Sequence, residues 1–550
     1  MMALKFVSSL EKCFLSDNIA DKATFSNGSF LKNERFHLGV CFTADDPDAA
    51  KRAVMLRVVS PLAAYVAVRK VVHVPVRMAC NPGETVADDY ITTAPGLYPD
   101  MLVPLAEDGQ LFLQKNLESL FLEIDPKGAV AAGDYPLTVQ LVDGNEVVEE
   151  ATCTLTVIGA ALPPQTLKFT QWFYCDCLRV QYGTESFDER HWQIIESYAK
   201  TAVKNGVNML LTPIFTPALD TAVGRERPTT QLVDVTVQNG SYAFGFEKLG
   251  RWVDMCDRIG VQYLEIAHFF TQWGAEHAPK VMATVDGEYR RIFGWDTDAA
   301  GAEYGAFLRA LIPALLAFLR EKDGWDKRCF FHISDEPNEE HLTQYAAARA
   351  QVTALLRGYP IMDALSNYEF YEQGVVDIPV AATDHIGPFL AHGVKGLWCY
   401  YCVGQSKKVS NRFVAMSSAR NRILGAQMYK YGIAGFLHWG YNFYFSQFSM
   451  ETVNPLMITD GDYFAPAGDT FSVYPAPDGT PYASLRLEVF YDGLQDMRAL
   501  ALCESLYGRE YTLQLLEQGT DGITFSEYPR DGAFLPAMRE RVNAAIAKKV

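Results

Sequence analysis

The rhythm of apolar and polar residues changes once along this chain, near residue 160. Before that point apolar positions recur with period two or in short β-branched runs, at 52–59, 64–76, 111–124, 136–142 and 147–158. Successive strand residues face opposite sides of a sheet, so this rhythm predicts strands. Asp143-Gly144-Asn145, between the last two runs, is a hairpin signal. Several short strands separated by turns predict a β-sandwich over residues 1–160. Ala160-Ala161-Leu162-Pro163-Pro164-Gln165 follows, and its two prolines predict a connecting segment.

From residue 165 apolar runs of strand length alternate with stretches of helical period. Strands are predicted at 167–173, 207–211, 261–267, 329–334, 360–365, 380–383, 396–401 and 433–438. Helices are predicted at 188–205, 248–259, 301–321, 338–356, 417–431 and 484–505. Eight such strands over roughly 300 residues predict a (β/α)8 barrel across 165–510, with 511–550 as a C-terminal extension packed on it. A doubly wound sheet would need a glycine-rich first turn, and the segment after Phe173 has none. The expected fold class is thus α/β, an N-terminal β-sandwich followed by a TIM-like barrel. Two excursions interrupt the alternation. Residues 230–246, centred on Asn239-Gly240, predict a hairpin after the second strand, and 459–481 is a long loop of the kind that walls a substrate site.

Composition narrows the possible roles. A chain of 550 residues is too long for one core. No apolar run reads as long enough to span a bilayer. The first residues lack an apolar h-region and a small-residue cleavage site, which predicts a cytoplasmic protein. Eleven cysteines, an odd number, predict reduced thiols rather than a disulfide scaffold. The net charge of -18 argues against nucleic-acid and anionic-membrane partners and favours a neutral ligand such as a sugar.

Barrel enzymes carry their chemistry at the C-terminal ends of the strands. Those ends hold Gln171 and Trp172, Thr212, His268, then Asp335 and Glu336, in order of the first four strands. Ser366, Asn367 and Tyr368 end the fifth, Asp384 and His385 the sixth, Trp398, Tyr400 and Tyr401 the seventh, Trp439, Tyr441 and Asn442 the eighth. Two central acids ringed by aromatic and hydrogen-bonding side chains suit a carbohydrate, which offers C–H faces and hydroxyls together. The bland reading of Asp335-Glu336 is a cap for the helix beginning near Asn338. In a regular strand the two would face opposite ways, so sharing one ligand requires the backbone to leave strand geometry, which Pro337 favours.

Adjacent acids cannot easily straddle a scissile bond as an ordinary glycosidase pair does. They fit the substrate-assisted variant, in which a 2-acetamido group is the nucleophile. One carboxylate then orients the acetamide, and the other protonates the leaving oxygen and activates water. His332, within the strand, reads as a satisfied core histidine, and Arg412 and Arg486 as ion-pair partners. Cys399 and Cys402, three apart on a strand, face opposite sides, and Cys175 with Cys177 adds no zinc-like spacing, so no metal and no cofactor are expected.

Several motifs in order carry a resemblance. They are Phe331-His332-Ile333-Ser334-Asp335-Glu336-Pro337, Leu397-Trp398-Cys399-Tyr400-Tyr401-Cys402, Asn411-Arg412-Phe413, the run 431–440, and the run 484–494 from Ser484 to Leu494. With these the chain resembles glycoside hydrolase family 123, whose known members are β-N-acetylgalactosaminidases. The resemblance covers about residues 167–505 and, more weakly, the preceding sandwich. It implies a sandwich before a barrel and substrate-assisted hydrolysis with retention, removing a terminal β-linked N-acetylhexosamine. Carried over, Asp335 orients the acetamide and Glu336 is the general acid/base. Trp398, Tyr401 and Trp439 are implied walls of the sugar subsite, with Trp172, His268, Asn367, Tyr368 and Tyr441 as further candidates from the strand ends. The alternatives are a glycosidase for another sugar with a separate nucleophile such as Asp384, and a carbohydrate-binding protein without catalysis. The expected partner is an oligosaccharide or glycoside.

Overall fold

The structure, a computed structural model, describes residues 2–44, 53–272, 274–336 and 339–550. Before residue 160 two five-stranded sheets share one core. One runs Met2–Ser8, Phe36–Ala44, Glu118–Ile124, Val66–Val76, Gly96–Pro104 in spatial order, and the other Asn27–Leu31, Glu146–Ile158, Gly133–Asp143, Ala53–Val59, Gln110–Phe112. Alternate residues turn inward, Leu38, Val40 and Phe42 from the first and Leu137, Val139 and Leu141 from the second. The run 111–124, read as one strand, divides instead into two that lie in different sheets. The polar residues between Leu113 and Leu117 are the break in its pattern.

Past residue 165 all eight expected strands form: β1 Lys168–Gln171, β2 Met209–Thr212, β3 Tyr263–Ile266, β4 Cys329–Phe331, β5 Met362–Ala364, β6 Ile378–Ala382, β7 Trp398–Tyr400 and β8 Gly435–His438. They make one parallel sheet in the order β4-β3-β2-β1-β8-β7-β6-β5. Its two edges meet at a parallel Phe331–Ile361 bridge, with the Phe331 N–H donating to the Pro360 carbonyl at 3.0 Å. The sheet is thereby a nearly closed barrel. Each strand leads to a helix: α1 Glu189–Lys204, α2 Glu247–Ile259, α3 Ala302–Glu321, α4 Leu342–Thr353, α5 Tyr368–Glu372, α6 Gly387–Ala391, α7 Ser418–Tyr431 and α8 Leu485–Tyr507. Several start at side-chain caps, Asp188 for α1, Ser417 for α7 and Ser484 for α8.

One reading from composition needs correcting. Helix α3 has the length and mean hydropathy, 1.5, of a membrane span, although no such run was expected. Half of it is buried in this fold, and Phe307, Leu308, Leu311 and Leu315 belong to the main core, so its apolar surface has a packing role. Two further helices, α9 Arg509–Glu517 and α10 Phe534–Ala547, pack on α7 and α8.

The barrel interior is filled in layers. Lys168 lies over the rings of Tyr263 and Phe330, and Phe330 packs on Trp398, at 5.8 Å between ring centroids. Gly435 is required here, because a Cβ would sit 2.1 Å from the Trp398 ring. Above this plug lies a polar layer, and above that a pocket.

The hairpin expected at 230–246 is Asp234–Gln238 with Ser241–Gly245. A second hairpin, Val281–Val285 with Glu288–Phe293, follows β3 and joins it in a four-stranded sheet. The Asp286-Gly287 turn was its signal.

Candidate active site

Strand β4 stops at Phe331, and the chain bends through Asp335 and Glu336. Glu336 has φ +43°, left-handed geometry that a non-glycine residue adopts only at a cost. This departure from pleat geometry lets both carboxyl groups line one pocket. Pro337 and Asn338, expected to turn the chain and open the helix, lie outside the described residues, and α4 begins at Leu342. Burial, then the neighbouring Glu336 charge, push the Asp335 carboxyl well above the usual range, while His332 opposes the shift. Glu336 is exposed at the mouth, and the Tyr400 hydroxyl donates to its Oε1 at 2.6 Å.

Below the acids lies a buried network. Glu265 on β3 accepts from the Trp172 Nε1 at 2.7 Å, from Thr170, and pairs with His332 Nε2 at 2.7 Å. The other nitrogen of His332 faces Asp363 at 3.1 Å, and Asp363 also accepts from Tyr345. Burial favours a neutral ring, but Asp363 and Glu265 outweigh it and push His332 up to about 10. His332 is therefore an imidazolium held between two carboxylates, the satisfied buried histidine that was expected. His268 stacks on it, ring centroids 4.1 Å apart and planes 16° apart; burial and the His332 charge hold His268 neutral. His268, His332 and Asp363 cluster closely enough to suggest a metal site. Nearly parallel rings, however, direct their in-plane lone pairs side by side rather than at one ion, and both His332 nitrogens already have partners.

The pocket holds about 680 Å³ of empty space including its mouth, a size typical of small-molecule sites, which run roughly 300–1,000 Å³. Of the expected site residues, Asp335, Glu336, Trp172 and Trp439 line it. Trp439 is fixed by a hydrogen bond from its Nε1 to Asp469 at 2.8 Å and packs against Phe464, another wall. The others lie elsewhere. Trp398 points inward but one layer too deep, against Phe330 and Gly435. Tyr401 faces away, packed on Phe436 with its hydroxyl on Asn421. Tyr441 stacks on Phe173 and donates to the Tyr198 carbonyl. Tyr368 packs between α5 and α6 on Phe389 and His392, and Asn367 caps α5. His268 belongs to the buried stack. Asp384 bonds His385 and Gln405 and does not line the pocket.

Arg486 is the expected ion-pair partner, holding Asp100 at 2.9 Å. Arg412 is not: it donates to Gln171, to His438 and to the Gly440 and Asp469 carbonyls, all uncharged acceptors. Burial accordingly lowers it to about 10.

The model of the glycoside hydrolase 123 catalytic domain matches residues 172–503, more than half of the sequence and every strand that bears on this pocket except β1. The chain belongs to glycoside hydrolase family 123. A family 123 glycoside hydrolase from Clostridium perfringens, described in terms of glycolipid glycan hydrolysis, has the same fold at 13% identity. The match covers 100% of this chain and 98% of that one, with a TM-score of 0.74. A GH5 xyloglucanase from Bacteroides ovatus aligns over 86% of this chain and 98% of its own at 9% identity, with a TM-score of only 0.30. No curated protein matches the sequence. The family 123 pocket also contains Phe464, from the loop 459–481 read as a substrate wall, Cys402, read only for metal spacing, and residues the sequence reading did not single out, Tyr174, Leu219, Asp220, Gln272 and Val403. All lie in loops beyond strand ends, so strand periodicity carries no signal for them. Tyr400 stands at the end of the seventh strand and lines the pocket, whereas the motif match points to its neighbours Trp398 and Tyr401.

Proposed function

We propose that this family 123 glycoside hydrolase removes a terminal β-linked N-acetylhexosamine, GalNAc first among them, by substrate-assisted hydrolysis with retention on a (β/α)8 barrel. The carrying observation is the pair Asp335 and Glu336 facing one pocket from consecutive positions, with the left-handed step at Glu336 between them. Two acids on one side of a sugar cannot serve as opposed acid and nucleophile, but they can serve an acetamide and its leaving group.

The chemistry follows from their different settings. In the free enzyme burial and the neighbouring Glu336 charge push the Asp335 carboxyl well above the usual range, which favours its protonated form. When the acetamide N–H settles on Asp335, an ionised carboxylate is the better acceptor, and the proton passes to Glu336. Glu336, oriented by Tyr400, then protonates the glycosidic oxygen as the acetamide oxygen closes on C1. Positive charge spreads onto the oxazoline ring beside Asp335, which stabilises it. Water, deprotonated by Glu336, opens the ring and returns the β configuration. Half-buried Trp439 and the Trp172 ring present faces to the C–H side of the sugar. Glycolipid glycans, the material named for the C. perfringens protein, are natural first substrates to try.

The test compares nitrophenyl glycosides of GalNAc, GlcNAc, Gal and Glc, with a thiazoline mimic of the oxazoline as inhibitor. Cleavage confined to the acetamido sugars, with inhibition by the thiazoline, is expected. Equal cleavage of the sugar lacking the acetamido group would overturn the mechanism. Asp335→Asn should cost about 10²–10⁴-fold in kcat, and Glu336→Gln a similar factor that shrinks for aglycones that leave unaided.

A further inference from the structure

A third carboxylate lines the pocket. Asp220 lies in the loop after β2, and its backbone is left-handed, φ +44°. That conformation is strained for aspartate, and strain persists where surrounding structure over-determines it. Here three loops do so. The Leu219 carbonyl accepts from Arg227 Nη1 at 3.0 Å, the Asp220 carbonyl from the Ser449 hydroxyl at 2.6 Å, and the Thr221 carbonyl from Gln272 Nε2 at 3.0 Å. Three consecutive carbonyls are thus pinned by side chains from the loops after β2, β8 and β3. The Asp220 side chain is fixed as well, since its Oδ2 accepts the Phe448 N–H at 3.0 Å. Its Oδ1 accepts no hydrogen bond among the described residues.

Among the described residues no cation pairs with this carboxylate. Arg227, the nearest candidate, is committed to Asp176 through two bonds of 2.7 and 2.9 Å. Asp220 is half-buried at the pocket wall with one oxygen pinned by the Phe448 N–H, so its other oxygen is offered to the pocket, where a ligand can supply the donor. In a neutral sugar the donors are hydroxyl groups. Asp335 and Glu336 occupy the end of the pocket where C1 and the acetamide belong, which leaves the hydroxyls on C3, C4 and C6 for other walls.

We propose that Asp220 reads the sugar: its carboxylate accepts a hydrogen bond from one of the C3, C4 or C6 hydroxyls and so decides which hexosamine the pocket accepts. The inference rests on the glycosidase reading of this pocket, but not on the acetamide mechanism. A site built around a hydroxyl rejects analogues that lack it far more strongly than an apolar wall rejects an extra group. Rigid placement adds to this, because a fixed acceptor loses little freedom on binding.

The experiment crosses enzyme variants with substrate analogues. Wild type, Asp220→Asn and Asp220→Ala are each assayed for kcat/KM on the nitrophenyl glycoside that wild type cleaves best and on its 3-deoxy, 4-deoxy and 6-deoxy forms. Asp220→Asn keeps an acceptor for the Phe448 N–H, and Ser449→Ala loosens the loop without touching the carboxylate. Circular dichroism melts confirm that each variant is folded. For the parent glycoside, Asp220→Asn should lose about 10- to 100-fold. For one deoxy analogue the variant and wild type should be nearly equal, because the lost partner cannot be lost twice. Ser449→Ala should lower all four substrates by a common, smaller factor. If Asp220→Asn and Asp220→Ala depress every analogue equally, Asp220 only shapes the loop and the proposal fails. If wild type cleaves only sugars without an acetamido group, the mechanism fails while this cycle, run on that sugar, still judges Asp220.

Discussion

At the scale of single residues the pocket depends on hydrogen bonds whose loss can be measured separately. Tyr400→Phe removes the donor that orients Glu336 and leaves the fold's core volume intact. Its kcat should fall by about 10-fold or more, since a bond to a charged group is worth about 1.5–3 kcal/mol, while the melting temperature barely moves. The His332 imidazolium makes a prediction about pH. Its folded pKa of about 10 lies above the ordinary histidine value of 6.5, so its stabilising contribution is complete below pH 6.5 and fades as pH rises towards 10. Urea unfolding at pH 6 and pH 9 should show the wild type losing stability, on the order of 3 kcal/mol from this group at most. His332→Gln should be less stable at pH 6 but show a flatter slope. His37, raised to about 9 between Asp492 and its neighbours, adds to the same alkaline loss, so the slope in the variant will not vanish.

Residue choice at the seventh strand shows what a sequence leaves open. The stretch Trp398-Cys399-Tyr400-Tyr401 announces that aromatic side chains end a strand near the site. Period two says that Trp398 and Tyr400 share a face and that Tyr401 takes the other. It does not say which face looks into the barrel, or how deep each residue sits along the axis. Packing decided both: Gly435 makes room for the Trp398 ring in the lower layer, and Tyr400 one layer up meets Glu336. Asp335 and Glu336 were legible because acids after an apolar run are costly. Asp220 was not, because an aspartate in a polar loop resembles any other.

At the scale of elements, buried parallel strands were the easiest to find, since they stand as apolar runs between turn signals. The sandwich was harder. Phe36–Ala44 is apolar on both faces and carries Gly39, and Gly96–Pro104 contains prolines, so neither shows the expected alternation. Helix α7 illustrates a different hidden constraint. It shows scarcely any amphipathic bias because both sides are covered, by the barrel and by α8 to α10. At its crossing with α8, Gly425 faces Gly493 so closely that a Cβ on Gly425 would lie 1.9 Å from the Gly493 carbonyl oxygen. Gly425→Ala should therefore cost about 1–3 kcal/mol or more through forced separation of the helices. Thermal melts against the pocket-remote control Gly432→Asn, at a left-handed helix end that asparagine tolerates, would show the difference.

At the scale of the whole molecule, sandwich and barrel are joined by buried charge. Arg69 bridges Glu123 of the sandwich and Glu488 of α8 at 3.1 and 2.6 Å. His37 meets Asp492 at 2.8 Å, and Arg486 meets Asp100 at 2.9 Å. Groups buried in this way are costly when one partner is removed, about 3–5 kcal/mol each. A fragment beginning at residue 165 would keep Glu488, Asp492 and Arg486 and lose all their sandwich partners. It should not fold to a soluble barrel, and calorimetry of the full chain should show sandwich and barrel melting together.

The indole of Trp398 has a consequence for the order in which products appear. The Trp398 ring stoppers the barrel, and Tyr400, Leu437 and Ala364 above it line the pocket, so the pocket has a closed floor. A terminal sugar, as proposed above, would enter this pocket by its tip and come to rest against that floor. Degradation of a labelled oligosaccharide should then begin with free monosaccharide and a chain one unit shorter, and no mid-length fragments should appear ahead of them.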